Sequence, residues 1–170
     1  WLDIPIDIQG TTILNANKLK IFKSKKINKL NLKKSELIKI SKMIEESKRP
    51  VFWFGNGIKL SKSKMTVEKV LKKYPFPSFV SWAAIDLLKS NHHLNYGRPG
   101  VYGNRASNFI LQNADLIISV GTRMSIPMIG YVHNEFARNA KIIQVDIDKT
   151  EINKLKKKTN LAINNDANIF

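Results

Sequence analysis

Leu116-Ile117-Ile118-Ser119-Val120-Gly121-Thr122-Arg123 decides the fold. Its first five residues are apolar except for one small serine, and the run stops at a glycine followed by two polar residues. That is the length and pattern of a strand buried on both faces, as in parallel sheets. A second run of the same kind, Lys141-Ile142-Ile143-Gln144-Val145, ends on Asp146-Ile147-Asp148. Upstream, Val51 to Phe54 is wholly apolar and stops at Gly55, Pro77 to Trp82 contains a short strand, and Leu161 to Ile163 reads as a last one. Helical patterns separate them. Leu37, Ile40, Met43 and Ile44 share one face of a helix expected to start at Ser35 and end near Ser47, with Pro50 beyond it. Met65, Val67, Val70 and Leu71 mark a second helix, Trp82 to Leu88 a third and Asn104 to Gln112 a fourth. Short helices are expected over Phe136 to Asn139 and Glu151 to Leu155. Strands alternating with helices predict an α/β fold: a doubly wound, mainly parallel six-stranded sheet with helices on both faces.

The segment before this core is of another kind. Trp1 to Ile8 alternates apolar residues with Asp3, Pro5 and Asp7, which reads as a short strand and its exit, expected either to pack as a strand detached from the main sheet or to run loose. The stretch that follows is polar and lysine-rich, suited to lying over a surface. The expected organisation is therefore residues 1–10 as the end of a preceding domain, 11–32 as a linker and 33–170 as the α/β domain. The abrupt start at Trp1 reads as a cut in a longer chain.

Composition excludes several functions. With no cysteine there can be no disulfide, thiolate metal site or cysteine nucleophile, and a reducing, cytoplasmic setting fits best. No apolar run approaches the roughly 20 residues that cross a bilayer, so no membrane partner is expected. The net charge of +16 raises the question of nucleic acid. Its excess is nearly all lysine, between Lys18 and Lys73 and again over Lys154 to Lys158, among many Asn and Ile residues; solvated lysine faces explain it, and no nucleic-acid partner is expected.

In an open parallel sheet, ligands bind beyond the carboxyl ends of the strands. The unusual residues fall there: Gly55, Asn56 and Gly57 after the first strand, Gly121 and Arg123 after Val120, and Asp146 and Ile147 after Val145. Gly97-Arg98-Pro99-Gly100-Val101-Tyr102-Gly103 lies just before a helix whose free N–H groups could receive a phosphate. The glycines can equally be tight turns. Arg123 can aim a planar fork at a diphosphate, or it can form an ion pair with Asp146 or Asp148. Asp146 and Asp148, at alternate positions, can accept from ribose hydroxyls, or Asp148 can cap the following helix. His92, His93 and His133 lack metal-ligand spacing, and no nucleophile elbow, P-loop or catalytic carboxylate pair is present. Residue chemistry alone thus stops at a nucleotide crevice with no metal and no catalytic residues.

Four segments, in order, resemble thiamine-diphosphate enzymes. Trp1 to Gln9 resembles the "dIPlDvq" end of their pyrimidine-binding domain, and Arg49-Pro50-Val51 with Gly55-Asn56-Gly57 the "rPvil.G.G" opening of their central domain. Ala114 to Arg123 is similar to "aDlil.lGtR", and Phe136 to Asp148 to "fap.akiihvDiD". The similarity is greatest to the acetolactate synthase large subunits.

The resemblance implies the Rossmann-like central domain of a larger enzyme that cleaves or joins carbon–carbon bonds of 2-oxo acids, a transferase or lyase. Such an enzyme uses thiamine diphosphate and magnesium, held by other domains of the same polypeptide, and works as a homodimer or homotetramer. The activating glutamate and the "GDG…NN" motif are expected outside these residues, so the chain alone is expected to be inactive. In acetolactate synthases the central domain holds FAD; in some relatives it binds ADP, and in others nothing. The positions carried over are Gly55, Asn56, Gly57, Gly97, Gly100, Tyr102, Gly121, Arg123, Asp146, Ile147, Asp166 and Ala167. Ser125 and Pro127 stand where FAD-binding synthases often have an Asp and an Arg. Any nucleotide binding is expected to depend on Arg123 and on the Gly97 to Gly103 stretch, and to favour the adenosine diphosphate group over the flavin ring. The competing expectation is a non-catalytic nucleotide-binding or scaffolding module.

Overall fold

A computed structural model describes residues 2–21, 31–155 and 158–170. Five strands, β1 (Pro50–Phe54), β2 (Ser78–Val80), β3 (Leu116–Val120), β4 (Lys141–Asp146) and β5 (Leu161–Asn164), form one sheet in the order β2-β1-β3-β4-β5. Every pairing is parallel. The helices are α1 (Ile6–Gln9), α2 (Lys34–Glu46), α3 (Gly57–Leu60), α4 (Lys64–Lys73), α5 (Arg105–Asn113), α6 (Ile126–Ile129) and α7 (Lys149–Lys154), with single 3-10 turns at Ala16–Lys18 and Trp82–Ala84.

Each central strand sends alternate side chains to two cores. Phe52, Phe54, Leu116, Ile118, Ile143 and Val145 meet α2 and α4 through Ile40, Val67 and Leu71. On the other face, Val51, Trp53, Ile117 and Ile142 meet Leu111 of α5, Ile129 of α6 and Phe136. Apolar side chains on both faces are what made these runs continuous in the sequence rather than alternating. The register is pinned at the amino ends by Asp115. Its carboxylate accepts from the Lys48 and Arg49 N–H groups at 2.8 and 2.9 Å, and from the Ser47 hydroxyl, tying the entry of β1 to the entry of β3.

The expected sixth strand is absent among the described residues. Leu94 to Gly97 runs beside β2 and exchanges backbone hydrogen bonds with it: Ser78 donates to Leu94, Tyr96 to Ser78 and Val80 to Gly97. The pairing stays an isolated bridge at Ser78 and Asn95, because Gly97 turns out at φ 88° and Pro99 follows. The expected helix over Trp82 to Leu88 is reduced to one 3-10 turn, and Phe136 to Asn139 is a turn rather than a helix. Helix α2 starts one residue before Ser35. Its entry is closed by Glu36, whose carboxylate accepts from the Lys33 N–H at 2.8 Å.

Of the two readings of the amino-terminal segment, the detached strand is corrected. Among Leu2 to Ile8, Ile6 begins the single helical turn α1 after Pro5, a residue well suited to the entry of a helix but unable to donate to a ladder. No residue from Leu2 to Ile21 is buried, and Leu2, Ile6 and Ile21 are more than four-fifths exposed. Trp1 and most of the second half of the linker lie outside the described residues.

Candidate nucleotide crevice

Where β1, β3, β4 and β5 end, the loops that follow them enclose a crevice of about 640 Å³. Asn56 and Gly57 line it after β1, Gly121 and Arg123 after β3, and Asp146, Ile147 and Asp148 after β4. Glu151, Asp166 and Ala167 complete the rim. This volume is in the range of pockets that take small organic ligands.

Glycines make the floor. Gly121 adopts φ 61°, in the left-handed region, and its carbonyl accepts from the Gly57 N–H at 3.0 Å. A Cβ on Gly57 would lie 2.6 Å from the Gly121 Cα, and one on Gly55 would lie 2.1 Å from the Gly121 oxygen. The ends of β1 and β3 therefore touch backbone to backbone, and Gly55 is buried beneath the contact. These glycines are explained by one another, while the absence of side chains leaves the floor open to a ligand.

The charged residues are arranged more closely than the sequence suggested. Strand β4 ends at Asp146, so the alternation expected for Asp146 and Asp148 does not continue. Asp146 is buried and accepts from the Asp148 N–H at 2.9 Å, whereas Asp148 is exposed and caps α7 by accepting from the Thr150 N–H at 2.7 Å. Burial pushes the Asp146 carboxyl up despite that hydrogen bond, and the neighbouring Glu151 and Asp148 carboxylates push it further. Arg123 pairs with neither aspartate. Its Nε and Nη2 both reach Oε1 of Glu151, at 3.0 and 2.8 Å, and Lys154 sits 2.8 Å from each Glu151 oxygen. Burial would raise the Glu151 carboxyl; the hydrogen bonds from Lys154 and Arg123 outweigh it and hold it below its ordinary value. Glu151 was not singled out by sequence reading. Its signal was a helical position one turn beyond the Asp148 cap, ordinary in itself.

Eight of the twelve positions singled out in the sequence thus line one crevice: Asn56, Gly57, Gly121, Arg123, Asp146, Ile147, Asp166 and Ala167. Gly55 lies beneath it, and Gly97, Gly100 and Tyr102 are not in its lining. Gly100 is clamped by Asn108, which accepts from its N–H at 2.7 Å and donates to its carbonyl at 3.0 Å. At the start of α5 the Ser107 N–H is taken by the Asn104 side chain at 2.7 Å. Tyr102 packs its exposed ring against Trp82, with centroids 5.1 Å apart.

The donor set fits the adenosine diphosphate portion of a nucleotide. Asp146 and Asp148 offer oxygens to ribose hydroxyls, and Arg123, with a side chain 70% exposed, offers guanidinium N–H groups to phosphate. Among the described residues no three His, Asp or Glu side chains gather to hold a metal ion. No described helix is long and apolar enough to cross a membrane.

Comparison with known proteins bears on this geometry. The chain is 33% identical over 156 residues to the acetolactate synthase isozyme 1 large subunit of Escherichia coli (strain K12), a match covering 92% of this chain and 27% of that protein. The isozyme 2 large subunit of the same organism is 27% identical over 98% of this chain and 29% of its own length. A probable acetolactate synthase large subunit of Methanococcus aeolicus is 34% identical over 70% of the chain and 20% of its own length. The chain thus spans under a third of each of these relatives. Residues 37–170 match the family model described as "Thiamine pyrophosphate enzyme, central domain", and the chain belongs to that family as its central domain.

Proposed function

We propose that this chain is the nucleotide-holding central domain of a thiamine-diphosphate-dependent enzyme of the acetolactate synthase type, acting on 2-oxo acids. In that role the crevice binds the adenosine diphosphate portion of FAD or ADP. Arg123 takes the diphosphate, Asp146 accepts from the ribose, and the Gly57–Gly121 floor lets the ligand approach the backbone. The observation that carries the reading is the convergence of Arg123, Asp146 and two glycines at the carboxyl ends of three adjacent parallel strands, where open sheets place their ligands.

Thiamine diphosphate supplies the carbon–carbon chemistry when bound with magnesium, and we assign its binding to other domains of the same polypeptide. The exposed apolar residues of the first 21 positions support a neighbouring domain at that end, since Leu2, Ile6 and Ile21 gain nothing from water. Assembly as a homodimer or homotetramer belongs to the same proposal. The domain boundaries follow it: residues 1–10 belong with the neighbour, 11–32 link, and 33–170 fold as the central unit.

Calorimetric titration of the chain with ADP and with FAD tests the reading. ADP is expected to bind, and FAD to bind no more than about tenfold tighter if the adenosine diphosphate group dominates. Absence of binding of either at millimolar concentration sinks it. The chain alone, given pyruvate, thiamine diphosphate and magnesium, is expected to release no carbon dioxide above background. Turnover that survives repurification would overturn the assignment of the chemistry to other domains.

A further inference from the structure

The cluster of Arg123, Glu151 and Lys154 contains more organisation than a surface ion pair needs. Glu151 keeps only 8% of its side chain exposed, although carboxylates are seldom buried unless paired, while Arg123 remains 70% exposed. Both Arg123 contacts fall on one Glu151 oxygen and come from one edge of the guanidinium, Nε and Nη2. Lys154 lies 2.8 Å from both oxygens, so the carboxylate does not depend on Arg123 alone for its counter-charge. Arg123 is also flanked by two residues in left-handed conformation, Gly121 at φ 61° and the buried Met124 at φ 45°. Such a backbone at a non-glycine residue is costly and persists where its surroundings impose it.

We propose that Glu151 is a positioning residue for the crevice. It grips one edge of Arg123, so that the opposite edge, with the Nη1 donors, is presented to an anionic group in the crevice. This rests on the reading of the crevice as a diphosphate site and adds to it the residue that orients the phosphate donor. Arginine is suited to this, because its planar fork can bind a carboxylate along one edge and a phosphate along another. Without Glu151 the guanidinium would have to lose its rotational freedom at the moment of binding, at a cost in affinity.

Two substitutions of equal charge separate positioning from electrostatics. Glu151→Gln keeps a carbonyl oxygen to accept from Arg123; Glu151→Leu is uncharged like Gln but has no acceptor. Titrated with ADP, Glu151→Gln should bind within about threefold of wild type or tighter. Glu151→Leu should bind about tenfold more weakly than Glu151→Gln. In an Arg123→Ala background the two should agree within about twofold, because the interaction they differ in is gone. Glu151→Met replaces Glu151→Leu if the latter unfolds. Equal affinity of the Gln and Leu variants, or a gap that persists without Arg123, would overturn the proposal while leaving the nucleotide reading intact. If wild type binds no ADP at all, that reading fails, and nuclear magnetic resonance of the Arg123 Nε–H group decides the positioning on its own. A resonance protected from exchange in wild type and Glu151→Gln but averaged in Glu151→Leu is expected; identical exchange in all three excludes a grip by Glu151.

Discussion

Two glycine-containing regions, alike in sequence, are put to different uses by the fold. At the ends of β1 and β3, Gly55, Gly57 and Gly121 allow two backbones to touch at the floor of the crevice. In the Gly97 to Gly103 stretch, Gly100 lies against the backbone of Pro127 and Met128, and a Cβ on Gly103 would fall 2.1 Å from the Arg98 oxygen. Here the neighbours are helix α6 and the stretch's own backbone, and the side chains of Asn104 and Asn108 are spent on Tyr96, Gly100 and Ser107 in and beside the stretch. A glycine announces that something comes close; the sequence does not say whether that is a ligand or another piece of chain.

The difference between the floor and the stretch is expected to be greatest at Gly121. Gly121→Val needs a β-branched residue at φ 61°, with its Cβ 2.7 Å from the Gly57 Cα, and both are backbone constraints that cannot yield separately. A loss of about 3 kcal/mol or more is expected in urea unfolding, because a strained conformation and overpacking add. Gly97→Ala also suffers a positive φ, but its Cβ meets only the end of the Asn104 side chain, at 2.3 Å. It should cost about 1–2 kcal/mol. Equal costs would remove the distinction between floor and stretch.

Ligand binding sharpens the same contrast. Arg123→Ala should weaken ADP binding by about one to two powers of ten, through loss of a charge-assisted hydrogen bond. Tyr102→Ala, outside the crevice lining, should leave ADP affinity within about twofold by calorimetry. A Tyr102→Ala variant that loses ADP as severely as Arg123→Ala would extend the site to the glycine stretch.

The amino and carboxyl ends of the sheet differ in how they use acids. Burial of Asp115 opposes its ionisation, but hydrogen bonds from Ser47, Lys48 and Arg49 prevail and lower its pKa. The folded-state value is then below the unfolded one, so its contribution is present above the ordinary carboxylate range and is lost as pH falls through the folded value. Asp146, raised by burial, has the opposite sign: its contribution is present at acid pH and is lost as pH rises through its folded value. Asp115→Asn should cost about 1–2 kcal/mol at pH 7 and less at pH 3, and Asp146→Asn should cost less than Asp115→Asn at pH 7. Denaturant midpoints at the two pH values check both signs. The smallest effect is expected for Asp148→Ala, a slight fall in the thermal midpoint from the lost cap of α7.

Fold and crevice were legible to different depths. Leu116 to Val120 could be bounded to the residue, because an apolar run buried on both faces has abrupt polar ends. Trp82 to Leu88 looked helical from its apolar spacing, yet Ala84, Leu87 and Leu88 reach the same core from successive turns. Spacing alone does not distinguish those paths. Arg123 and Asp146 were visible as charges just past buried strands. Glu151 was not, because its importance comes from facing Arg123 across 28 positions of chain.

By itself, then, the sequence determined a parallel α/β core, the places where its strands end, and the kinship carried by the motifs at those ends. These are local properties: apolar runs, punctuating glycines and charges at fixed offsets. Packing in three dimensions set the sheet at five strands among the described residues, kept Gly97 to Gly103 out of the crevice lining, and paired Arg123 with Glu151 rather than Asp146 or Asp148. Each depends on which distant segment reaches a given backbone or charge first, and that competition is settled by packing rather than by neighbours in the chain.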